Sequence, residues 1–250
     1  VSKALIFSDI HLKVAASDRE RHREFAAFLR SFDPAEYPRI ICLGDLFDFW
    51  FEYRSVIFSD YFEVLRAFAD LRDAGAELHL ICGNHDFWGG RFLEEFLGME
   101  IHPGAVDMEI GGHRVHFVHG DGIDPKDHSY RIYKRIARNP FVVWAFRQLH
   151  PDWAMGLARA VSHSSRTLRA PDNPHEGPQA QALRRFGERK LSSGEADVVM
   201  TGHAHAPLKE EVQTPGGTGL YFNAGDWLYN RTYIEWTGKS FELKDWSAPT

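Results

Sequence analysis

Little in this chain of 250 residues marks it for export or for a membrane. It has two cysteines, and no apolar run reaches the roughly 18–20 residues of a membrane span. Cys42 and Cys82 both sit inside apolar stretches, so a disulfide framework is not expected. The setting implied is reducing, with two inert buried thiols. The first residues lack the basic-then-apolar layout of a secretory signal, which points to a cytoplasmic protein. A glycine-rich dinucleotide fingerprint and a P-loop are both missing. No aromatic–basic module of nucleic-acid-binding type is present in a mainly acidic chain, so nucleic acid is not an expected partner. Nor is there an internal repeat, or a linker long enough to separate domains. One domain over residues 1–250 is therefore expected, at a length that allows one substantial core.

What is present is unevenly distributed. The apolar and charged fractions, 44% and 26%, are those of an ordinary globular protein. The net charge of −6 hides a basic stretch at 126–190, with 13 Lys and Arg against 5 Asp and Glu. Such a stretch suits an anionic partner, or else forms a solvated helical face.

The chain opens with Lys3 to Phe7, a short apolar run closed by Ser8-Asp9-Ile10-His11, which predicts a buried strand and its turn. Phe25, Phe28, Leu29 and Phe32 recur at helical spacing over 19–32. Arg39 to Leu43 predicts a second strand, followed by a helix at about 59–74 with Gly75 where a helix cap belongs. Glu77 to Cys82 predicts a third. Repeated strand–helix units argue for a mainly parallel sheet. After a short helix at 91–97, Val106–Ile110, Gly111-Gly112 and Arg114–His119 carry a hairpin signature. Residues 124–192 look helical, Val198–Thr201 predicts a further strand, and the tail reads as a β-meander. The expectation is two sheets face to face, helices outside, and a helical insertion.

Five of these apolar runs end in ligand-type residues: Asp9-x-His11, Gly44-Asp45-x-x-Asp48, Gly83-Asn84-His85-Asp86, His119-Gly120-Asp121 and Gly202-His203-x-His205. Each alone is a weak signal. Together they place carboxylate, amide and imidazole groups where open α/β sheets bind ligands. A carboxylate buried beside apolar strands is costly without a compensating cation. The mixed oxygen and nitrogen set suits Mn²⁺, Fe or Zn²⁺.

In order and spacing, the five motifs from Ser8 to His205 resemble the calcineurin-like metallophosphoesterase superfamily. The resemblance implies an α/β fold, a four-layer α/β/β/α sandwich, and two divalent transition-metal ions, Mn²⁺ foremost. It implies that Asp9, His11, Asp45 and His205 hold one ion, and that Asp45 bridges to a second held by Asn84, His119 and His203. Such a pair binds a phosphoryl oxygen and acidifies a shared water. His85 is implied as the group that stabilises the transition state or protonates the leaving group, with Asp48 fixing its tautomer. Asp86 is expected to brace its loop, Asp121 to orient His119 or stabilise a turn, and Asn223 and Asp226 to brace the site from a later strand.

The stretch Gly44 to Tyr53, His119-Gly120-Asp121-Gly122 and the insertion at about 124–192 further resemble the UDP-2,3-diacylglucosamine hydrolase family of lipid A synthesis. That resemblance implies hydrolysis of a pyrophosphate to a lipid monophosphate and UMP. It also implies a helical lid that receives acyl chains and makes peripheral contact with the inner membrane. Asp127, Tyr130, Ser164, Ser165 and Arg166 fall where the family contacts substrate. One departure stands out: the well-known branch has arginine where this chain has His85. The lid reading draws separately on the basic excess and on Phe141, Val143, Trp144, Phe146, Leu149 and Trp153, an apolar set suited to chains. A soluble nucleotide, phosphodiester or phosphoprotein is the alternative substrate. A non-catalytic scaffold would have lost ligands, and all seven are present.

Overall fold

The apolar run Ala4-Leu5-Ile6-Phe7 is buried along its whole length as strand β1 (Ala4–Phe7). A computed structural model describes residues 2–88, 90–126, 128–157 and 174–247. Strands covered on both faces read as unbroken apolar runs, because each face meets another layer. β1 pairs in parallel with β2 (Arg39–Cys42), β2 with β3 (Glu77–Ile81), and β3 with an edge strand, β4 (Met99–His102). The hairpin falls where expected, as β5 (Val106–Ile110) and β6 (His113–Val118). Its two-residue turn is made by Gly111 and Gly112 at φ 59° and 81°, the positive values a tight hairpin turn requires.

β6 starts a second sheet, pairing in parallel with β7 (Val198–Thr201), which pairs in parallel with β9 (Gly217–Asn223); β8 (Leu208–Thr214) lies antiparallel at the edge. β10 (Thr232–Trp236) and β11 (Phe241–Asp245) return to the first sheet, β10 antiparallel to β1. The orders are thus β11-β10-β1-β2-β3-β4 and β5-β6-β7-β9-β8. Two expectations need correction. The tail is not one meander, since its strands divide between the sheets. β4 lies where no strand was expected, and the short helix before it is a π-helix at Phe92–Phe96.

Side chains alternate across each strand, and the cores follow that alternation. Leu5 and Phe7 pack with Phe25 and Phe28 of helix α1 (Arg19–Arg30) and Val64 and Phe68 of helix α2 (Phe62–Asp73). Ala4 and Ile6 join Ile41, Leu43 and Ile81 in a second cluster with Val115, Phe117, Val198, Met200 and Phe222 of the other sheet. On that sheet's far face, Val199 and Tyr221 meet a later helix.

The helical segment begins with α3 (His128–Ala137) and α4 (Pro140–Arg147), followed by helical residues 151–157. After a 3₁₀ turn at Pro174–Glu176 comes α5 (Pro178–Ser192), which supplies Leu191 and Phe186 to the Val199–Tyr221 cluster. Asp127, Ser164, Ser165 and Arg166 lie outside the described residues.

Candidate metal centre

Six of the seven parallel-paired strands, β1, β2, β3, β6, β7 and β9, send their C-terminal ends into one region, and the five motifs follow five of them. The backbone there is unusual. Asp9, His11, Asp45, His203 and His205 have φ of 57°, 49°, 52°, 64° and 51°, and among the described non-glycine residues only Arg231 joins them. L-residues in the left-handed region cost about 1–3 kcal/mol each and cluster at functional sites. Two glycines let the loops close in. A Cβ on Gly83 would overlap the Asp45 carboxylate, and one on Gly202 would overlap Ser8 and come within 2.7 Å of Asp9 Oδ2.

Each aspartate has one oxygen held and the other aimed at histidines. Asp9 Oδ2 accepts from Ser8 Oγ (2.5 Å) and the His203 backbone N–H (2.8 Å). Its Oδ1 is buried without a hydrogen-bond partner, 3.2 Å from His205 Nε2 and 3.6 Å from His11 Nε2. Those two ring nitrogens are 3.1 Å apart. Asp45 Oδ1 accepts from the His85 backbone N–H (2.9 Å). Its Oδ2 lies 3.4 Å from His119 Nε2 and 3.8 Å from His11 Nε2, between the two histidine groups. His119 Nδ1 donates to the Leu43 carbonyl (2.7 Å), which leaves Nε2 free to ligate, 3.3 Å from Asn84 Oδ1. His203 completes a group with Asp45 and His119 whose ligand atoms lie within 4.8 Å of one another.

The donor set fits divalent ions. An orphaned carboxylate oxygen facing imidazole nitrogens at 3.2–3.6 Å is what a shared cation would satisfy. Burial pushes the His11 and His203 imidazoles down to about 4, so both offer lone pairs at neutral pH. At His119 burial is outweighed by the Asp45 carboxylate, and at His205 by Asp9, so these two are raised. Burial would lift both aspartates too, but His205 and His11 hold Asp9 well below the carboxylate range, and His119 and His85 do the same for Asp45.

Several side chains have different partners from those expected. His85 Nδ1 donates to the backbone carbonyl of Asp48 (2.7 Å), not to its carboxylate. The carboxylate stays close to both rings, with Oδ1 3.7 Å from His11 Nδ1 and a carboxylate oxygen within 4.8 Å of a His85 ring nitrogen. A carbonyl can only accept, so it fixes His85 with Nδ1 protonated and Nε2 4.0 Å from Asp45 Oδ2. Asp121 does not touch His119's free nitrogen. It accepts from Tyr130 Oη (2.6 Å) and Lys134 Nζ (2.5 Å), tying α3 to the strand-end loop. The Tyr130 hydroxyl is therefore engaged with protein. Asp86 does brace its loop, accepting from Gly83 N and Leu46 N at 2.8 Å each. Burial and the nearby Asp45 push its carboxyl up to about 7. Asn223 donates to the Gly202 carbonyl (2.8 Å), and Asp226 holds its own turn by accepting from Tyr229 N (2.7 Å).

Ser8 and Lys134 were not singled out from the sequence. Ser8 directly precedes a ligand in a turn, and Lys134 lies four residues after Tyr130 on one helix face, so both carried a positional signal. A shallow cleft lies beside His203, lined by Gly120, Gly122, Asp124, Gln179 and Leu183. Phe146 of α4 packs on Phe49, Phe51 and Trp88 at ring distances of 4.8–5.7 Å.

This arrangement is that of a metallophosphoesterase, and a family model described as calcineurin-like phosphoesterase matches residues 2–207. The chain belongs to that family and is a hydrolase of phosphoester or pyrophosphate bonds. It is 31% identical to a UDP-2,3-diacylglucosamine hydrolase of Porphyromonas gingivalis, over 97% of both chains. Enzymes of the same name from Pseudomonas paraeruginosa and Aeromonas hydrophila are 29% and 28% identical. The first alignment covers 89% of this chain and 90% of the relative, the second 90% of each. No helix among the described residues is long and apolar enough to cross a membrane.

Proposed function

We propose that the chain is a two-metal hydrolase that cleaves the pyrophosphate of a nucleotide-linked lipid, UDP-2,3-diacylglucosamine, to a lipid monophosphate and UMP. The observation that carries the two-metal assignment is Asp45 Oδ2, which faces His119 at 3.4 Å and His11 at 3.8 Å and so suits a bridge. Asp9, His11, Asp45 and His205 would hold one ion, and Asp45, Asn84, His119 and His203 the other, with Mn²⁺ the first choice and Fe or Zn²⁺ also suited. Bound ions would polarise a phosphoryl oxygen and supply an acidified water. The protein's own role is positional. Hydrogen bonds from Ser8, His203 N and His85 N hold one oxygen of each aspartate, so the other cannot swing away. His85, aligned by the Asp48 carbonyl, presents Nε2 toward the reacting centre, where in its protonated form it donates to the leaving oxygen.

The α/β/β/α sandwich and helical lid belong to the same reading. Apolar clusters between the sheets and on both outer sheet faces support the layers. The lid reading rests on exposed Ile132, Ile136, Phe141, Trp144, Trp153 and Leu157 within a basic segment. Such a surface suits acyl chains, anionic headgroups and peripheral contact with the cytoplasmic face of a membrane. Asp127, Tyr130, Ser164, Ser165 and Arg166 are assigned to the substrate side by resemblance. His85, where the well-known branch has arginine, favours a second reading: a soluble phosphodiester as substrate. A panel of UDP-diacylglucosamine, UDP-sugars and a chromogenic phosphodiester, assayed with Mn²⁺, separates the two. The lipid reading expects kcat/KM highest on the diacylated compound; equal or higher values on UDP-sugars would replace it with the soluble one.

A further inference from the structure

Away from the strand ends, a second group of metal-type ligands lies on β3 and β4. His79 and Glu100 are register partners, and His102 follows two residues later, so the three side chains share one sheet face. His79 Nδ1 is 3.3 Å from His102 Nε2 and 3.4 Å from Glu100 Oε2, and Glu100 Oε1 is 3.7 Å from the same His102 nitrogen. The two rings stack at 5.5 Å with 21° between their planes. A tetrahedral zinc ion with bonds of about 2.0–2.1 Å holds its ligand atoms about 3.3–3.4 Å apart. Two of the three separations match that spacing, and the third involves a carboxylate free to rotate. Exposure completes the geometry: His79 and His102 side chains are 11% and 13% exposed and Glu100 67%, so one side stays open to water. Burial also lowers the His79 pKa, which favours its ligating neutral form.

We propose that His79, His102 and Glu100 form a further metal site, separate from the phosphoesterase centre, that takes one zinc-class divalent cation with water as fourth ligand. Its place in the fold gives it a role. β4 is a four-residue edge strand paired only with β3. The His102 carbonyl accepts the Cys82 N–H (2.9 Å), one residue before Gly83-Asn84-His85. An ion joining His79 to His102 clips the edge strand in register and steadies the backbone entering that turn.

The test uses the whole chain saturated with Mn²⁺, titrated with ZnCl₂, and read by native mass spectrometry and thermal melting. Wild type should carry one more ion per chain than His102→Gln, and its Tm should rise by about 5 °C with zinc well above Kd. Glu100→Gln is a surface change that spares folding and Mn²⁺-supported activity. It should weaken zinc binding by about tenfold or more, since even outer partners of a metal site matter about 10–100-fold. Should His102→Gln not fold, Glu100→Gln decides alone. Equal ion counts and equal thermal shifts in wild type and Glu100→Gln would overturn the proposal.

Discussion

At the strand ends, Asp9, His11, Asp45 and His119 are buried almost completely, while on the helical segment Phe141, Trp144 and Trp153 are 71%, 57% and 74% exposed. The first region hides charge; the second displays apolar rings. Both run against the ordinary partition of side chains, and each points to an absent companion of opposite character. Hidden carboxylates and imidazoles are satisfied by a cation, exposed aromatics by something with apolar chains. The regions also differ in how they are held. The ligand loops are tied to one another by backbone hydrogen bonds, Asp9 N to Gly44 O, His11 N to Asp45 O, Trp50 N to His85 O and Gly202 N to His119 O. α3 and α4 are tied to the body mainly through side chains, among them Phe146 against Phe49, Phe51 and Trp88, the Trp88 Nε1–Ala137 carbonyl bond, and Tyr130 and Lys134 on Asp121. On the proposed lid reading, chemistry would be fixed by the strand-end region and substrate choice by α3 and α4.

The largest expected effect strikes the buried region. Asp45→Ala should abolish turnover and lose both ions, because one oxygen is shared between the two groups. Metal analysis checks this, and full occupancy in the variant would remove the bridge assignment. Next comes His85→Ala, which should keep the metals and slow turnover by roughly 10²–10⁴-fold, the range of general acid–base groups. If it strips a metal, His85 is a ligand and its assigned role is wrong. The smallest effect belongs to the exposed region. Trp144→Ala, on the surface and so harmless to folding, should lower kcat/KM on a diacylated substrate by roughly ten- to a hundredfold, the worth of burying one such side chain. A small chromogenic phosphodiester should be unaffected. Equal losses on both substrates would erase the division of labour between the two regions.

The strand ends were legible because an apolar run closing in glycine and a ligand residue is a local pattern. What escaped was not local. Which sheet an antiparallel strand joins depends on partners far along the chain, so β8 to β11 looked like one meander. β4 was missed because Met99-Glu100-Ile101-His102 is short and half polar. Asp48 was read by its carboxylate, and the bond of its backbone carbonyl to His85 was not foreseen; main-chain acceptors belong to no residue type and leave no mark in a sequence. Tyr130 was read only as facing substrate, and the bond of its hydroxyl to Asp121, which anchors α3, was not foreseen.

The five ligand-type residues in left-handed backbone carry a consequence for stability. Glycine accepts that conformation freely, while a residue with a Cβ is penalised by roughly 1–2 kcal/mol. His203→Gly or His205→Gly would therefore relieve backbone strain while removing a ligand side chain. The torsion angles thus mark the positions where this fold gives up stability to place a ligand side chain.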